Sequence, residues 1–353
     1  MTFATSNDLD YLAARLHARR SRMAEAERLD ALCRIRNLPE FGHFVCPGPQ
    51  FAGAKDFQQR LLQDLAWEIY GSLKHLDGSA RRFIERLLAR FQIENLKVLL
   101  RGFTNRIQLA ELQPHLVDLP GNLALDATTL MAAKSLEEFV GQIPSNILGK
   151  QFPAIVKDRN LTPNLFMLES ALDTGYLHEL LDRTSGLSDT ERETVKPLVL
   201  QEANFYQFAL VLRGRFHFNL EPESLWRLWI QQSWVSQEWF QRLLSAPDIA
   251  TASSLGVGVV IDTMPVSRGS DGEKGGIDMG SIELLAWKRF LRLANIAFRR
   301  SHMGVGAVAG YFGVRRVEIA NFITLSEGIR LGIDERELRA RLISRCEMEV
   351  AHV

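Results

Sequence analysis

The chain has 353 residues, of which 46% are hydrophobic and 24% charged, enough apolar material for two or three domains or one larger array and too much for a disordered or fibrous protein. Its 42 basic residues are balanced by 42 acidic ones; with no basic excess, nucleic acid is not expected as a partner. Three widely spaced cysteines, Cys33, Cys46 and Cys346, suit free thiols in a reducing compartment better than a disulfide framework.

In chain order, the N-terminus carries Asn7, Asp8 and Asp10 in place of the apolar run of a secretory signal. Residues 11–36, rich in Ala, Leu, Arg and Glu, predict one helix. Residues 57–76 and 78–91 predict two more. Thr162-Pro163 is a helix start, and its helix is expected to reach about Asp182. Ser188-Asp189-Thr190-Glu191 has the pattern of a capping box opening a helix to about Arg213, with a kink expected at Pro197. Residues 282–300 and 318–327 are also expected to be helical. Residues 257–262 are the best strand candidate, short and isolated. The stretch 267–280, with Gly269, Gly272, Gly275, Gly276 and Gly280, predicts an exposed, mobile loop. No stretch approaches the roughly 20 apolar residues of a membrane helix, so any work at a membrane is expected to run through a partner.

An internal repeat organises these elements. Asn95-Leu96-Lys97-Val98-Leu99-Leu100-Arg101-Gly102 aligns with the segment from Gln207 to Gly214 and with that from Asn321 to Gly328, the glycines standing 112 and 114 residues apart. Beyond the glycine, Ile107, Leu220 and Ile333 follow at a spacing of 113, then Leu112, Leu225 and Leu338, then Leu116-Val117, Trp229-Ile230 and Leu342-Ile343. Upstream, Leu168-Glu169 pairs with Ile282-Glu283 and Tyr176-Leu177 with Phe290-Leu291, while Leu38, Leu136 and Ile249 mark a candidate opening helix for each unit. The repeated glycine is expected just past a helix end, in the left-handed conformation. The units are set at 1–120, 121–234 and 235–353. Three equal units can close around an axis or stack as an open array.

The same residues resemble a known family, the C subunits (also called d subunits) of V-type/A-type rotary ATPases. The shared patterns are Asn95-Leu96-Lys97-Val98-Leu99-Leu100-Arg101; Glu169-Ser170-Ala171-Leu172-Asp173-Thr174-Gly175-Tyr176; Tyr311 followed by Glu318-Ile319-Ala320-Asn321 through Gly328; and Tyr11-Leu12-Ala13-Ala14-Arg15. The likeness covers essentially the whole chain, with departures where Glu327 replaces the arginine seen at Arg101 and Arg213 and where Gln207 replaces the repeated Asn. The resemblance implies an all-α fold of three similar units in a funnel with a pseudo-threefold axis. It implies a non-catalytic central-stalk (rotor) protein, peripheral on the cytoplasmic face of the membrane. There it would link the central shaft subunits to the membrane proteolipid ring and pass torque for proton or sodium transport. It implies no catalytic, cofactor-binding or metal site. The alternative is an all-helical scaffold or adaptor without a motor role.

Chemistry of the chain's own finds little footing. Gly304-Val305-Gly306-Ala307-Val308-Ala309-Gly310 follows a predicted helix, whereas a dinucleotide loop follows a strand, so close packing or a turn is expected there. Gly149-Lys150 lacks the upstream glycine of a phosphate loop. His75, His115 and His217 are expected at the surface or as satisfied structural groups, and Asp189, Glu191 and Asp334 as caps. A helical enzyme would need such groups to converge in a pocket. The aromatic cluster Phe205, Tyr206, Phe208, Phe216, Phe218, Trp226, Trp229, Trp234, Trp239 and Phe240 is expected in the core, with a docking surface as the alternative. Arg15, Arg19, Arg20 and Arg22 are expected to form a solvated helix face.

Overall fold

A computed structural model describes residues 6–48, 50–144, 147, 149, 151–158, 164–262, 279–301 and 303–344. The fold is all-α. Residues 257–262 form a turn closed by one isolated bridge between Val257 and Ile261 rather than a strand, with the Gly258 amide donating to the Ile261 carbonyl at 2.8 Å. Too few residues separate the two ends for a ladder to grow.

Helices α1 (Ser6–Arg20) and α2 (Glu27–Leu32) replace the single helix expected over 11–36. Ala26 stands at φ 47° between them, and the Ala24 amide donates to Glu318 at 2.6 Å instead of to an upstream carbonyl. A long-range carboxylate thus takes the place of the local ladder. Helix α3 (Leu38–Val45) leads to the long pair α4 (Ala54–Ser72) and α5 (Gly78–Asn105), followed by the short α6 (Leu109–Leu112). Helix α5 runs well past the predicted end at residue 91, because Asn95, Leu96, Leu99 and Leu100 continue its buried stripe.

The same order then recurs. Helices α7 (Ala127–Met131), α8 (Leu136–Gly141) and α9 (Gln151–Lys157) precede the long pair α10 (Leu165–Ser185) and α11 (Asp189–Leu212), then α12 (Pro222–Trp226). Helices α13 (Gln237–Leu244) and α14 (Ile249–Leu255) precede α15 (Met279–Arg300) and α16 (Val305–Leu331), then α17 (Glu335–Arg341). The three expected opening positions, Leu38, Leu136 and Ile249, each begin a helix. Asn37, Ser135 and Asp248 cap them by accepting from the amides of Glu40, Glu138 and Thr251. Thr162-Pro163 and residues 263–278, with most of the Gly-rich stretch, lie outside the described residues, as does Cys346; α10 takes Asn164 as its cap. The box at Ser188 forms, Glu191 accepting from the Ser188 amide at 3.2 Å, and Pro197 lies inside one continuous helix.

Packing between the long pairs runs in a cycle. Helix α5 lies against α10, α11 against α15, and α16 returns to α4. Each contact joins the second long helix of one pair to the first of the next, and the last pair meets the first. One continuous apolar core, from Leu12 to Ile343, underlies all three. Burial on that scale is the main stabilising term of the fold.

Candidate functional site

Asn95 donates to the Val117 carbonyl and accepts from the Val117 amide, both at 2.8 Å. Asn321 does the same to Ile343, at 2.9 and 2.8 Å. Each buried amide thereby clamps the chain returning after the following short helix. In the middle copy Gln207 accepts from the Ile230 amide at 2.8 Å, and its extra methylene lets the donor end reach the Ser233 hydroxyl at 2.7 Å. The Asn-to-Gln departure keeps half of the clamp and redirects the other half.

The repeated glycine does not end its helix, contrary to the left-handed position expected for it. Gly102 and Gly328 lie inside α5 and α16, where a Cβ would fall 2.1 Å from Leu112 and 2.1 Å from Leu338; at Gly214 it would fall 2.6 Å from Leu225. Glycine is required because the repeated leucine packs onto the bare backbone. The left-handed residues come later: Arg106 (φ 57°), Asn219 (φ 51°) and Gly332 (φ 69°). The glycine carbonyls then accept from the amides of Ile107, Leu220 and Ile333 at 2.8, 2.8 and 2.9 Å, the closure that ends a helix through a left-handed residue. Between Gly214 and Leu220 a π-turn, Arg213–His217, absorbs one residue more than its counterparts. That insertion turns the glycine spacings of 112 and 114 into the uniform 113 that follows.

Twelve positions upstream of the three glycines stand Arg90, Glu202 and Arg316. These equivalent residues, one from each second long helix, meet. Arg316 holds both Glu202 oxygens at 2.9 Å, and Arg90 pairs with the same carboxylate. The Glu202 and Arg316 side chains are only 15% and 11% exposed. Burial alone would raise the Glu202 pKa, but Arg316 and Arg90 outweigh it and hold the carboxyl at about 2. Arg316 also lies over the rings of Phe290 and Trp287, 5.2 and 5.8 Å from their centroids. The cluster is hidden in the sequence: the three positions share one register, but the middle copy carries a glutamate where the other two carry arginine.

Charged pairs also mark the seams between pairs of long helices. Across α5 and α10, Arg101 makes a two-pronged contact with Glu169, and Lys97 lies 2.9 Å from Asp173. Across α16 and α4, Gln58 donates to Glu327 at 2.7 Å and to Ser326 at 3.0 Å. Glu327 departs from the repeated arginine because the group facing it is an amide rather than a carboxylate. At the same seam Tyr311 donates to Glu68, which also faces Arg19 and Arg315, and Arg315 pairs with Glu318. Burial, followed by the neighbouring Glu68 carboxylate, pushes the Tyr311 hydroxyl well above its ordinary value.

The remaining residues singled out in the sequence stand apart. Arg19 and Arg20 are not a solvated face: Arg20 reaches Glu25 at 2.7 Å and Asn295 at 3.0 Å, while Arg15 is half-buried and Arg22 exposed. His115 and His217 are exposed, and His75 is buried with Nδ1 3.8 Å from Asp8. Among the described residues no group of three His, Cys, Asp or Glu is placed to hold a metal ion. The stretch from Gly304 to Gly310 opens α16, and a Cβ at Gly310 would lie 2.4 Å from the Phe298 amide and 2.6 Å from the Ala294 carbonyl. Its small residues therefore let two helix backbones touch. Most of the aromatic cluster is buried or half-buried, Phe208 and Phe240 completely; Trp234 and Phe218 are exposed.

Residues 12–341 match the family model described as ATP synthase (C/AC39) subunit. The chain belongs to this family. This C/AC39 protein is 22% identical over 347 residues to the C subunit of the A-type ATP synthase of Methanosphaera stadtmanae, covering 94% of this chain and 87% of that one. It is 21% identical over 346 residues to the A-type C subunit of Methanocaldococcus jannaschii, covering 95% and 86%. The C subunit of the V-type ATP synthase of Deinococcus radiodurans is 27% identical over 184 residues, covering 48% of this chain and 52% of that one.

Proposed function

We propose that this rotary ATPase subunit is the non-catalytic connector of the central stalk. In this reading the units 1–120, 121–234 and 235–353 surround a pseudo-threefold axis as a funnel. The shaft subunits seat in its mouth, and its other end rests on the membrane proteolipid ring. The protein then passes torque between ATP chemistry and proton or sodium movement, from the cytoplasmic face.

The observation that carries this reading is the meeting of Arg90, Glu202 and Arg316. Three positions related by the repeat meet, two arginines on the carboxylate of the third, as residues near a threefold axis do. The cyclic packing of α5 on α10, α11 on α15 and α16 on α4 agrees with it. A closed ring suits a torque-bearing collar, because load on any unit is shared through two neighbours. Among the described residues no helix is long and apolar enough to cross a membrane, so the membrane contact is assigned to partner subunits. The test is capture of the tagged protein from detergent-solubilised native membranes, with the co-purifying proteins identified by mass spectrometry. Recovery of proteolipid together with shaft and catalytic-head subunits is expected. A reproducible partner set without ATPase subunits would leave a helical scaffold as the function.

A further inference from the structure

A cavity of about 330 Å³ opens between α1, α2, the end of α3, α4 and α16. Its charged lining is Arg19, Arg22, Arg28 and Arg315 against Glu68 and Glu318. Four guanidinium groups against two carboxylates leave an excess of two positive charges, in a chain whose 42 basic and 42 acidic residues balance overall.

The two carboxylates lie deep and are already engaged. Glu68 accepts from Arg19 and Tyr311 and faces Arg315, while Glu318 accepts from the Ala24 amide and pairs with Arg315. Their side chains are 12% and 5% exposed. The uncompensated charge therefore sits on Arg22 and Arg28, both exposed and neither in an ion pair among the described residues. Arg28 donates to the Ser21 carbonyl at 2.8 Å, which leaves most of its N–H donors unused. The backbone carrying both arginines is fixed, because Met23 is buried and the Ala24 amide is bonded to Glu318.

The rest of the lining is apolar. Leu32 and Phe322 are buried, but Phe44 is 66% exposed, an aromatic ring left in water beside a basic cavity. Covering such a ring with an apolar group is favourable. Every cation in the lining is arginine and none is lysine, and the planar guanidinium fork matches phosphate and carboxylate oxygens. Charge separates those two ligands. A phosphate monoester carries about −1.5 to −2 at neutral pH, which matches the excess of two, whereas a carboxylate carries a single charge.

We propose that this cavity binds a small organic phosphate, its phosphate held by Arg22 and Arg28 and its apolar or aromatic body laid against Phe44. The volume is near the lower end of the roughly 300–1,000 Å³ of small-molecule sites, so the ligand is compact. The lining comes from both sides of one seam, Glu68 on α4 and Arg315, Glu318 and Phe322 on α16. A bound ligand therefore stabilises the contact between the first and third pairs of long helices.

Calorimetric titration of the full chain with phenyl phosphate, inorganic phosphate, benzoate and neutral phenyl glucoside tests the site. Phenyl phosphate is expected to bind saturably at one site, about tenfold tighter than inorganic phosphate or benzoate, and the glucoside not to bind at all. Arg22→Ala/Arg28→Ala, at two exposed positions that the fold tolerates, is expected to weaken phenyl phosphate about tenfold or more. Phe44→Ala is expected to reduce its affinity to that of inorganic phosphate. Arg82→Ala/Arg242→Ala removes the same charge at exposed positions outside the cavity and is expected to leave the affinity unchanged. Saturating phenyl phosphate is also expected to raise the melting temperature of the wild type and not of the Arg22→Ala/Arg28→Ala variant. Absence of saturable binding up to about 10 mM, equal losses in the two double variants, or tighter binding of benzoate than of phenyl phosphate would overturn the proposal.

Discussion

Single residues show two ways in which the three copies are fixed. Where the backbone must be bare, the copies agree, and the agreement is legible: Gly102, Gly214 and Gly328 each receive a leucine. Gly310 is a sharper case, because its neighbours are the Phe298 amide and Ala294 carbonyl rather than a movable side-chain tip. Gly310→Ala is therefore expected to destabilise by about 2–4 kcal/mol and Gly328→Ala by less, since Leu338 can rotate away; denaturant midpoints compare them. Where charges meet, the copies must disagree, and the disagreement is opaque. Three like charges at these positions would repel, so the middle copy carries Glu202 between Arg90 and Arg316, and that one reversal of sign masks the shared register. With Glu202 held at about 2 against an ordinary 4.5, the folded state binds fewer protons than the unfolded one between those values. The stabilisation is complete above about pH 4.5 and is lost as pH falls toward about 2. Urea midpoints at about pH 6 and about pH 3 are expected to differ less in Glu202→Gln than in the wild type. Glu202→Ala, which leaves two guanidinium groups facing each other, is expected to cost about 3–5 kcal/mol.

At the scale of the helix, existence is readable and ends are not. The expected helices over 57–76, 188–213 and 282–300 all form, because their apolar residues recur at helical spacing. The sequence pattern ends α5 too early, at residue 91, since a helix buried around most of its girth loses the polar stripe that marks its period. The helix expected over 11–36 breaks between Arg20 and Glu27, where the Ala24 amide bonds to Glu318, nearly the whole sequence away, and overrides good local propensity. The amide clamps tie each long helix to the segment beyond the next short one. Asn321→Ala strands the Ile343 amide and carbonyl in a buried site, so a loss of about 1–3 kcal/mol is expected in thermal or chemical unfolding. Asn321→Leu, similar in bulk, should rescue none of it if the hydrogen bonds are the source.

For the whole molecule, the repeat is plain in the sequence but its closure is not. A ring and an open array have the same local pattern; only the return of α16 to α4 distinguishes them. The family patterns around Asn95, Glu169, Tyr311 and Glu318 supply contacts between helices: the Asn95 clamp, Arg101–Glu169 and Tyr311–Glu68 across two seams, and Glu318 accepting from the Ala24 amide. In the proposed function such a ring forms the collar between shaft and membrane rotor. Cryo-electron microscopy of the intact ATPase from native membranes tests it most directly. This chain is expected on the central axis, with its three pairs of long helices encircling it, shaft subunits in its mouth and the proteolipid ring beneath. Finding the chain on the peripheral stalk, or absent from an otherwise complete and coupled complex, would contradict it.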